Sequence, residues 1–147
     1  MLKVLLPVDG SESSLHAMEK AVEFGVTKDV EVHVVTVVLP VHTTPSKNPY
    51  IPSDMVESLR KAGKDAAVDI LKTAVDKVCT LNGACASKEI LEGDPAEEIV
   101  RYAEEIDADL IIMGSRGLST FGRLLLGSVS QKVLHNAHCS VLIVRGK

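Results

Sequence analysis

Residues 111–130 read Ile-Ile-Met-Gly-Ser-Arg-Gly-Leu-Ser-Thr-Phe-Gly-Arg-Leu-Leu-Leu-Gly-Ser-Val-Ser, and this stretch carries the strongest signal in the chain. An apolar strand runs directly into a glycine-spaced loop, and the loop leads into the start of a helix. Glycines let backbone N–H groups approach an anion, and a helix N-terminus adds about half a positive charge. The G-x2-G-x9-G-S spacing of Gly114, Gly117, Gly127 and Ser128 therefore predicts a phosphate-binding loop at the functional centre.

Outward from this stretch, apolar strand patterns alternate with helical patterns along the whole chain. The predicted strands cover 2–8, 30–38, 85–91, 108–113 and 140–144, and the predicted helices follow Ser11 and cover 53–82, 95–106 and 128–136. Helical crossovers of this length return each strand parallel to the one before it. We predict one α/β domain over 1–147, a doubly wound parallel sheet of five strands with helices on both faces.

Two of the connections have local signals of their own. Residues 39–53 contain four prolines, and a loop of this length is typical of a functional lid or a disordered connector. Asp94, Pro95 and Glu97 form a helix start with a cap, a proline in the first turn and a reciprocal glutamate. The long helix is predicted to end at Gly83, and its apolar stripe is predicted from Met55, Leu59, Ala62, Ala66, Ile70 and Ala74.

Composition excludes several functional classes. The net charge is −4 with scattered positive charges, whereas a nucleic-acid backbone requires a basic face. The chain has no Trp and only four Phe and Tyr residues, so a platform for stacking bases is not expected. Three cysteines without C-x2-C spacing indicate free thiols in a reducing compartment. With no signal peptide and no run of membrane-spanning length, we expect a cytoplasmic protein.

Two predicted strands end in residues with unusual chemistry. Pro7 and Val8 lead into Asp9 after the first strand, and Met113 leads into Gly114 after the fourth. Ligands of such sheets lie beyond the carboxyl ends of the strands, where the strand order reverses. If both ends flank this crevice, Asp9 can accept hydrogen bonds from ribose hydroxyls while the loop at 114–130 surrounds phosphates. The spacing alone does not establish that they are neighbours.

The motifs together resemble the universal stress protein family over the full length of the chain. The matching segments are Leu-Leu-Pro-Val-Asp-Gly-Ser at 5–11, Gly-Asp-Pro-Ala-Glu-Glu-Ile at 93–99, Ala-Asp-Leu-Ile-Ile-Met-Gly-Ser-Arg-Gly at 108–117, Gly-Ser-Val-Ser at 127–130 and Cys-Ser-Val-Leu-Ile-Val-Arg at 139–145. The glycine spacing is that of the ATP-binding branch. The resemblance implies a flavodoxin-like sheet of order 3-2-1-4-5. It also implies a homodimer through the last strand, Val141, Leu142, Ile143 and Val144, although Ser140 stands where the family usually has proline.

The resemblance also implies a site for ATP, with or without Mg²⁺. Asp9 would meet the ribose, the backbone at Val37 would meet the adenine edge, and Gly114 would lie by the ribose. The residues implied at the phosphates are Gly117, Gly127, Ser128, Val129 and Ser130. Pro7, Val8, Met113 and Arg116 complete the set of candidate nucleotide-binding residues.

Each of these signals also has a reading without a ligand. Ser128 to Gln131 fits a capping box, and Asp9-Gly10 fits a turn with an Asx cap. Arg116 and Arg123 either neutralise phosphates or are simply solvated. His135, His138 and Cys139 are close in sequence, but the end of a short helix is an ordinary place for histidines, so we expect no metal site.

Three functional hypotheses follow from the sequence. The first is a cytoplasmic ATP-dependent sensor or switch in a stress response. The second is an enzyme with slow ATP hydrolysis or autophosphorylation, because the loop offers hydroxyls and arginines but has no His or carboxylate to activate water. The third is a dimeric interaction module that uses no nucleotide, in which the glycines serve only turns and helix packing.

Overall fold

The computed structural model describes residues 1–27, 29–41, 51–82, 85–115 and 126–145. Its strands are β1 (Leu2–Pro7), β2 (Val30–Val38), β3 (Cys85–Glu92), β4 (Leu110–Gly114) and β5 (Ser140–Val144). Its helices are α1 (Glu12–Thr27), α2 (Ser53–Asn82), α3 (Pro95–Glu105) and α4 (Ser128–Asn136). The predicted β2, α2, α4 and β5 have the predicted bounds, and the others differ by one or two residues at an end.

The five strands form one parallel sheet of order β3-β2-β1-β4-β5, which confirms the predicted fold. The order reverses between β1 and β4, where Val4 pairs with Leu110 and Leu5 with Ile111. The crevice of a doubly wound sheet therefore opens where β1 and β4 end. The sequence had left open whether these two strand ends are neighbours, and the topology places them side by side.

Helices cover both faces of the sheet. On one face, Met18 of α1 and Leu71 of α2 join a buried cluster with Val4 and Val34. On the other face, Ile99 of α3 and Val133 of α4 pack over strand residues that include Leu5, Val35 and Ile111. These apolar layers account for the near-continuous apolar strands, because a parallel sheet is buried on both sides. Among the described residues, no helix is long and apolar enough to span a membrane.

The helix start predicted at Asp94 is present. The carboxylate Oδ2 of Asp94 accepts a hydrogen bond from the Glu97 N–H at 3.1 Å, and Pro95 occupies the first turn. Gly83, the predicted end of α2, and most of the proline-rich loop, 42–50, lie outside the described residues.

The predicted apolar stripe of α2 was wrong for its first four residues and correct for Ile70 and Ala74. Met55 and Leu59 are each 55% exposed, and Ala62 and Ala66 are also exposed. The fully buried residues of α2 are Val56, Ala67, Leu71, Ala74 and Val78. Of the predicted stripe, Ala74 is among them, and Ile70 is partly buried against the same core cluster. Both sets repeat at helical spacing, so periodicity in a long alanine-rich helix did not decide which one meets the sheet.

The first turn of α1 lies directly on the end of β4. A Cβ atom at Gly114 would stand 2.7 Å from the backbone carbonyl carbon of Ser13 and 2.8 Å from its Cβ. Because real Cβ atoms do not approach backbone this closely, a side chain at this position would push α1 away from the sheet. Gly114 therefore has a packing role that does not depend on a ligand.

We expect Gly114→Ala to lower the free energy of unfolding by about 1–3 kcal/mol, since the added methyl meets the backbone of Ser13. Gly63→Ala is the matched control, because its Cβ would lie 3.6 Å from Val38 Cγ1, an ordinary contact. Within α2 it should raise stability by about 0.5–1 kcal/mol. Urea denaturation measures both, and equal effects of the two substitutions would contradict the packing role of Gly114.

The two faces of α2 give a second test of the packing. Leu71→Ala should cost about 2–5 kcal/mol because Leu71 is 5% exposed within the core. Leu59→Ala, on the exposed face, should change stability by no more than about 0.5 kcal/mol. A large loss for Leu59→Ala in urea denaturation would show that the predicted stripe faces the core after all.

Candidate functional site

The carbonyl oxygen of Ser115 joins the end of β4 to the start of α4. It accepts a hydrogen bond from the Gly127 N–H at 2.6 Å and another from the Ser130 hydroxyl at 3.0 Å. The Ser115 N–H donates to the carbonyl of Val144 in β5 at 2.9 Å. The chain therefore leaves and returns at the same point, and the intervening loop is closed at its base. Arg116 and Gly117, with Arg123, belong to that loop and lie outside the described residues.

The N-terminus of α4 has no side-chain cap at its first position. Gly127 is the N-cap residue, in an extended conformation, and Ser128 is the first helical residue. The capping box expected from Ser128 to Gln131 is therefore not formed, because the N-cap position belongs to Gly127, which has no side chain. In any helix the first N–H groups have no partner within the helix itself, here those of Ser128, Val129 and Ser130. With the dipole behind them, they form a set of donors suited to an anion.

The two serines of α4 differ in what they present. The Ser128 side chain is exposed. Ser130 is 2% exposed, and its hydroxyl is directed inward, 3.0 Å from the carbonyl oxygens of both Ser115 and Gly127. Ser130 therefore holds the loop base closed with its side chain, and only its backbone N–H points toward the helix N-terminus.

Asp9 begins a compact turn that leads into α1. Its Oδ1 accepts a hydrogen bond from the Ser11 N–H at 2.9 Å, and its own N–H donates to Ser14 Oγ at 3.2 Å. Ser11 caps α1 by accepting from the Ser14 N–H at 3.1 Å, and Gly10 takes the positive φ of 83° that the turn requires. The Asx turn is thus present, but it uses one oxygen of a half-buried carboxylate that has two.

The two strand ends also meet through α1. The side chain of Ser13 lies at the end of β4, with its Oγ 3.5 Å from Ser115 Oγ. Both serines are almost fully buried. The first turn of α1 therefore contacts both the Asp9 turn, through Ser14, and the base of the loop at 116–126, through Ser13.

Val37 is placed at the side of the same crevice. Val8, just past the end of β1, donates its N–H to the Val35 carbonyl at 2.8 Å, and Val38 accepts from Gly93 N–H on the opposite side. Backbone groups of alternate strand residues point to the same neighbour, so the N–H and C=O of Val37 point to the β1 side. Since β1 ends at Pro7, these groups lie beside the strand end and not within the sheet.

The remaining predicted residues within the described part of the chain lie at the ends of β1 and β4, where they line the crevice. Pro7 is buried at the end of β1, and Val8 and Met113 belong to the two core clusters on opposite faces of the sheet. Their side chains are committed to packing, so a ligand would meet only their backbone. Sequence reasoning assigned no role to Ser11 and Ser14, although the serine spacing after Asp9-Gly10 is a helix-start signal.

No metal centre accompanies these groups in the part of the chain that the structure describes. There, no three His, Cys, Asp or Glu side chains lie close enough together to hold an ion. His135 and His138 are exposed. Partial burial raises the pKa of the Cys139 thiol, and the Asp109 carboxylate raises it further. A protonated thiol is a poor metal ligand.

Known proteins share this fold and sequence. Residues 1–145 match the model of the universal stress protein family. Universal stress protein MJ0531 of Methanocaldococcus jannaschii is 38% identical over 145 residues, which cover 97% of this chain and 81% of that protein. YxiE of Bacillus subtilis, also a universal stress protein, is 34% identical over 146 residues, 97% of this chain and 98% of its own.

Solved structures of other proteins have the same fold over nearly the whole chain. The structure of the hypothetical protein MJ0577 superposes with a TM-score of 0.82 at 27% identity and covers 99% of this chain and 96% of its own. A universal stress protein in complex with cAMP superposes with a TM-score of 0.73 at 28% identity, covering 99% of this chain and 98% of that one. The sheet order and these matches lead to one conclusion: the chain belongs to the universal stress protein family.

Proposed function

We propose that this protein binds ATP in the crevice between β1 and β4 and acts as a nucleotide-dependent switch in a stress response. The observation that carries the proposal is the N-terminus of α4, which begins at a glycine and is fixed by hydrogen bonds to the strand end beside the reversal of strand order. The related structure with bound cAMP supports an adenine nucleotide as the ligand class. ATP as the particular nucleotide, with or without Mg²⁺, comes from the glycine spacing of the ATP-binding branch.

In the proposed complex each part of the nucleotide meets a different strand end. The N–H groups of Ser128, Val129 and Ser130 donate to phosphate oxygens, together with Gly117 of the loop. Gly127, whose N–H is held by the Ser115 carbonyl, lies beside the phosphates and has no side chain to obstruct them. The free carboxylate oxygen of Asp9 accepts from a ribose hydroxyl, and Gly114 lies beneath the ribose. The N–H and C=O of Val37 read the adenine edge, with Pro7, Val8, Met113 and Arg116 completing the walls.

The switch follows from the closure of the loop base. The hydrogen bond between Ser115 and Gly127 closes the base of the loop at 116–126, so a phosphate bound at the start of α4 would contact a loop whose two ends are fixed. We propose that nucleotide binding sets the conformation of this loop and thereby a surface for a protein partner. In the proposed complex the Asp9 carboxylate is engaged by the ribose and by the turn, so it is not available as a general base to activate water. This favours nucleotide binding over hydrolysis.

We further propose that the protein pairs as a homodimer through β5. Val141, Leu142, Ile143 and Val144 are all half-buried at one edge of the sheet, and alternate side chains pack into the two core clusters. An apolar edge strand is an aggregation hazard unless it is paired, and a two-fold copy of itself is the simplest partner.

The first test separates backbone donors from the side-chain hydroxyl of Ser128. Ser128→Pro removes one N–H at the first helical position, where proline is well accepted, and the extended Gly127 before it suits proline. We expect Ser128→Pro to weaken ATP binding at least tenfold, about 1.4 kcal/mol of binding free energy, in calorimetry on nucleotide-stripped protein. Ser128→Ala keeps the backbone N–H and should change the affinity by less than about threefold.

The same titrations with ADP, AMP and cAMP, with and without Mg²⁺, identify the nucleotide. Unchanged ATP affinity in Ser128→Pro would exclude the helix N-terminus as the phosphate site. No binding of any adenine nucleotide to the stripped wild-type protein would overturn the proposal and leave the nucleotide-independent dimeric module.

The second test addresses the double use of Asp9. Asp9→Asn keeps an oxygen that can accept from the Ser11 N–H, so the turn and the stability should be preserved. Its affinity for ATP should fall, because a charge-assisted hydrogen bond to the ribose becomes a neutral one. Asp9→Ala should lose both, with about 1 kcal/mol less stability. Full ATP affinity in Asp9→Ala, measured by calorimetry beside thermal unfolding, would leave Asp9 with the turn alone.

A further inference from the structure

The edge of the sheet formed by β3 carries an exposed apolar centre. Ile90 is 36% exposed on β3, and Val68 is 51% exposed on α2. Both line a groove of about 640 Å³ between the helix and the strand, and Leu71, Lys72 and Lys88 complete much of its surface. The sheet order places β3 at one end of the sheet. Exposed apolar side chains beside an open strand edge are the usual mark of a binding surface.

Backbone direction shows which residues face this edge. Gly93 donates its N–H to the Val38 carbonyl of β2 at 3.0 Å. Because the direction alternates along a strand, the backbone groups of Lys88, Ile90 and Glu92 point away from β2, toward the open edge. The side chains of these three residues lie on one face of the sheet, the face that α2 covers. This edge therefore offers three N–H and C=O pairs in a row, centred on Ile90.

The side chains along this row are complementary to themselves. When a second copy of β3 is placed antiparallel about a two-fold axis at Ile90, Ile90 faces Ile90 of the second copy and Lys88 faces Glu92 of the second copy. Both charged side chains are exposed, and none of the ion pairs found among the described residues involves them. Charges on an edge strand normally prevent pairing, but here they favour one register over its neighbours.

We propose that β3 is a second self-association surface, at which two copies pair antiparallel about Ile90 and join their sheets into one. Sliding one strand by two residues would place Ile90 opposite Lys88 or Glu92 and lose both the Ile90–Ile90 contact and the Lys88–Glu92 pairs. Sliding it by four would centre the pair on Lys88 or Glu92 and place identical charges opposite each other, which is unfavourable. The pattern Lys88, Ile90, Glu92 therefore specifies the partner as a second copy of this chain and also specifies the register.

The position of α2 fits the same arrangement. The helix packs over both β2 and β3, since Val78 and Leu71 share a cluster with Val32 and Val34 while Val68 and Leu71 line the groove beside Ile90. A helix centred between β2 and β3 would lie two strand spacings from its copy, about 9.6 Å. Packed helices lie 8–10 Å apart. Val68 of each copy would then be covered by the other.

Site-specific disulfide formation tests the register. In a background with the three native cysteines changed to alanine, Ile90→Cys should form a covalent dimer readily on mild oxidation, because directly opposed residues of such a pair have Cα atoms about 5.5 Å apart. Glu89→Cys is the matched control, one residue away on the other face, and should cross-link at least tenfold more slowly. Equal rates for the two variants, or faster cross-linking of Lys88→Cys, would overturn the proposal.

Charge exchange tests the partner. Lys88→Glu should shift the concentration for association at least tenfold upward in sedimentation equilibrium, because it places two carboxylates opposite each other. The double variant Lys88→Glu with Glu92→Lys restores opposite charges and should restore association. Failure of the double variant to recover, with both variants folded by circular dichroism, would contradict self-pairing. These measurements are independent of nucleotide binding, which none of the substituted residues is proposed to touch.

Discussion

The carbonyl oxygen of Ser115 is the point on which the candidate site depends. It receives the Gly127 N–H at 2.6 Å and the Ser130 hydroxyl at 3.0 Å, so one strand end and one helix start are held together by two donors. A loop closed in this way costs less to order when a ligand binds, because its ends are already fixed. The direction of the α4 dipole relative to the sheet is fixed by the same contacts. The base of the glycine-rich loop is thus fixed independently of the rest of the loop.

The approach of α1 to β4 is the second constraint, and it explains two residue types at once. Gly114 leaves no room for a Cβ beside Ser13, and Ser13 is small enough to bring its hydroxyl to 3.5 Å from that of Ser115. This close contact brings the Asp9 turn to within one helical turn of the loop base. Close packing against Ser13 and the proposed contact with the ribose would both require glycine at position 114. The presence of Gly114 is therefore not by itself evidence for a ligand.

Much of the fold could be predicted from the sequence because its local signals agree. Asp94 and Pro95 begin α3 where capping chemistry indicates, and β-branched runs give the buried strands. The face of α2 could not be predicted in full, because Met55 and Leu59 repeat at the same spacing as Ala67 and Leu71, and only the position of the sheet decides which residues are buried. The cap of α4 was misplaced for a related reason: Ser128 is the better capping residue, but Gly127 takes the position because its N–H is held by Ser115. At both places a tertiary contact decided the outcome: in α2 the local signal was ambiguous, and in α4 it was overridden.

The two edge strands of the sheet, β5 and β3, differ in how their apolar side chains are buried. β5 directs alternate apolar side chains into both core clusters, so pairing there would extend a continuous core. In β3, Leu91 is buried in a core cluster on one face of the sheet, whereas Ile90 on the other face is partly exposed between the charged residues Lys88 and Glu92. An interface of the second kind gains less from apolar burial and more from register, and its association is correspondingly sensitive to salt. Because two-fold pairing at both edges does not close on itself, a weaker β3 contact would make assembly beyond the dimer depend on concentration, whereas two strong contacts would produce fibres.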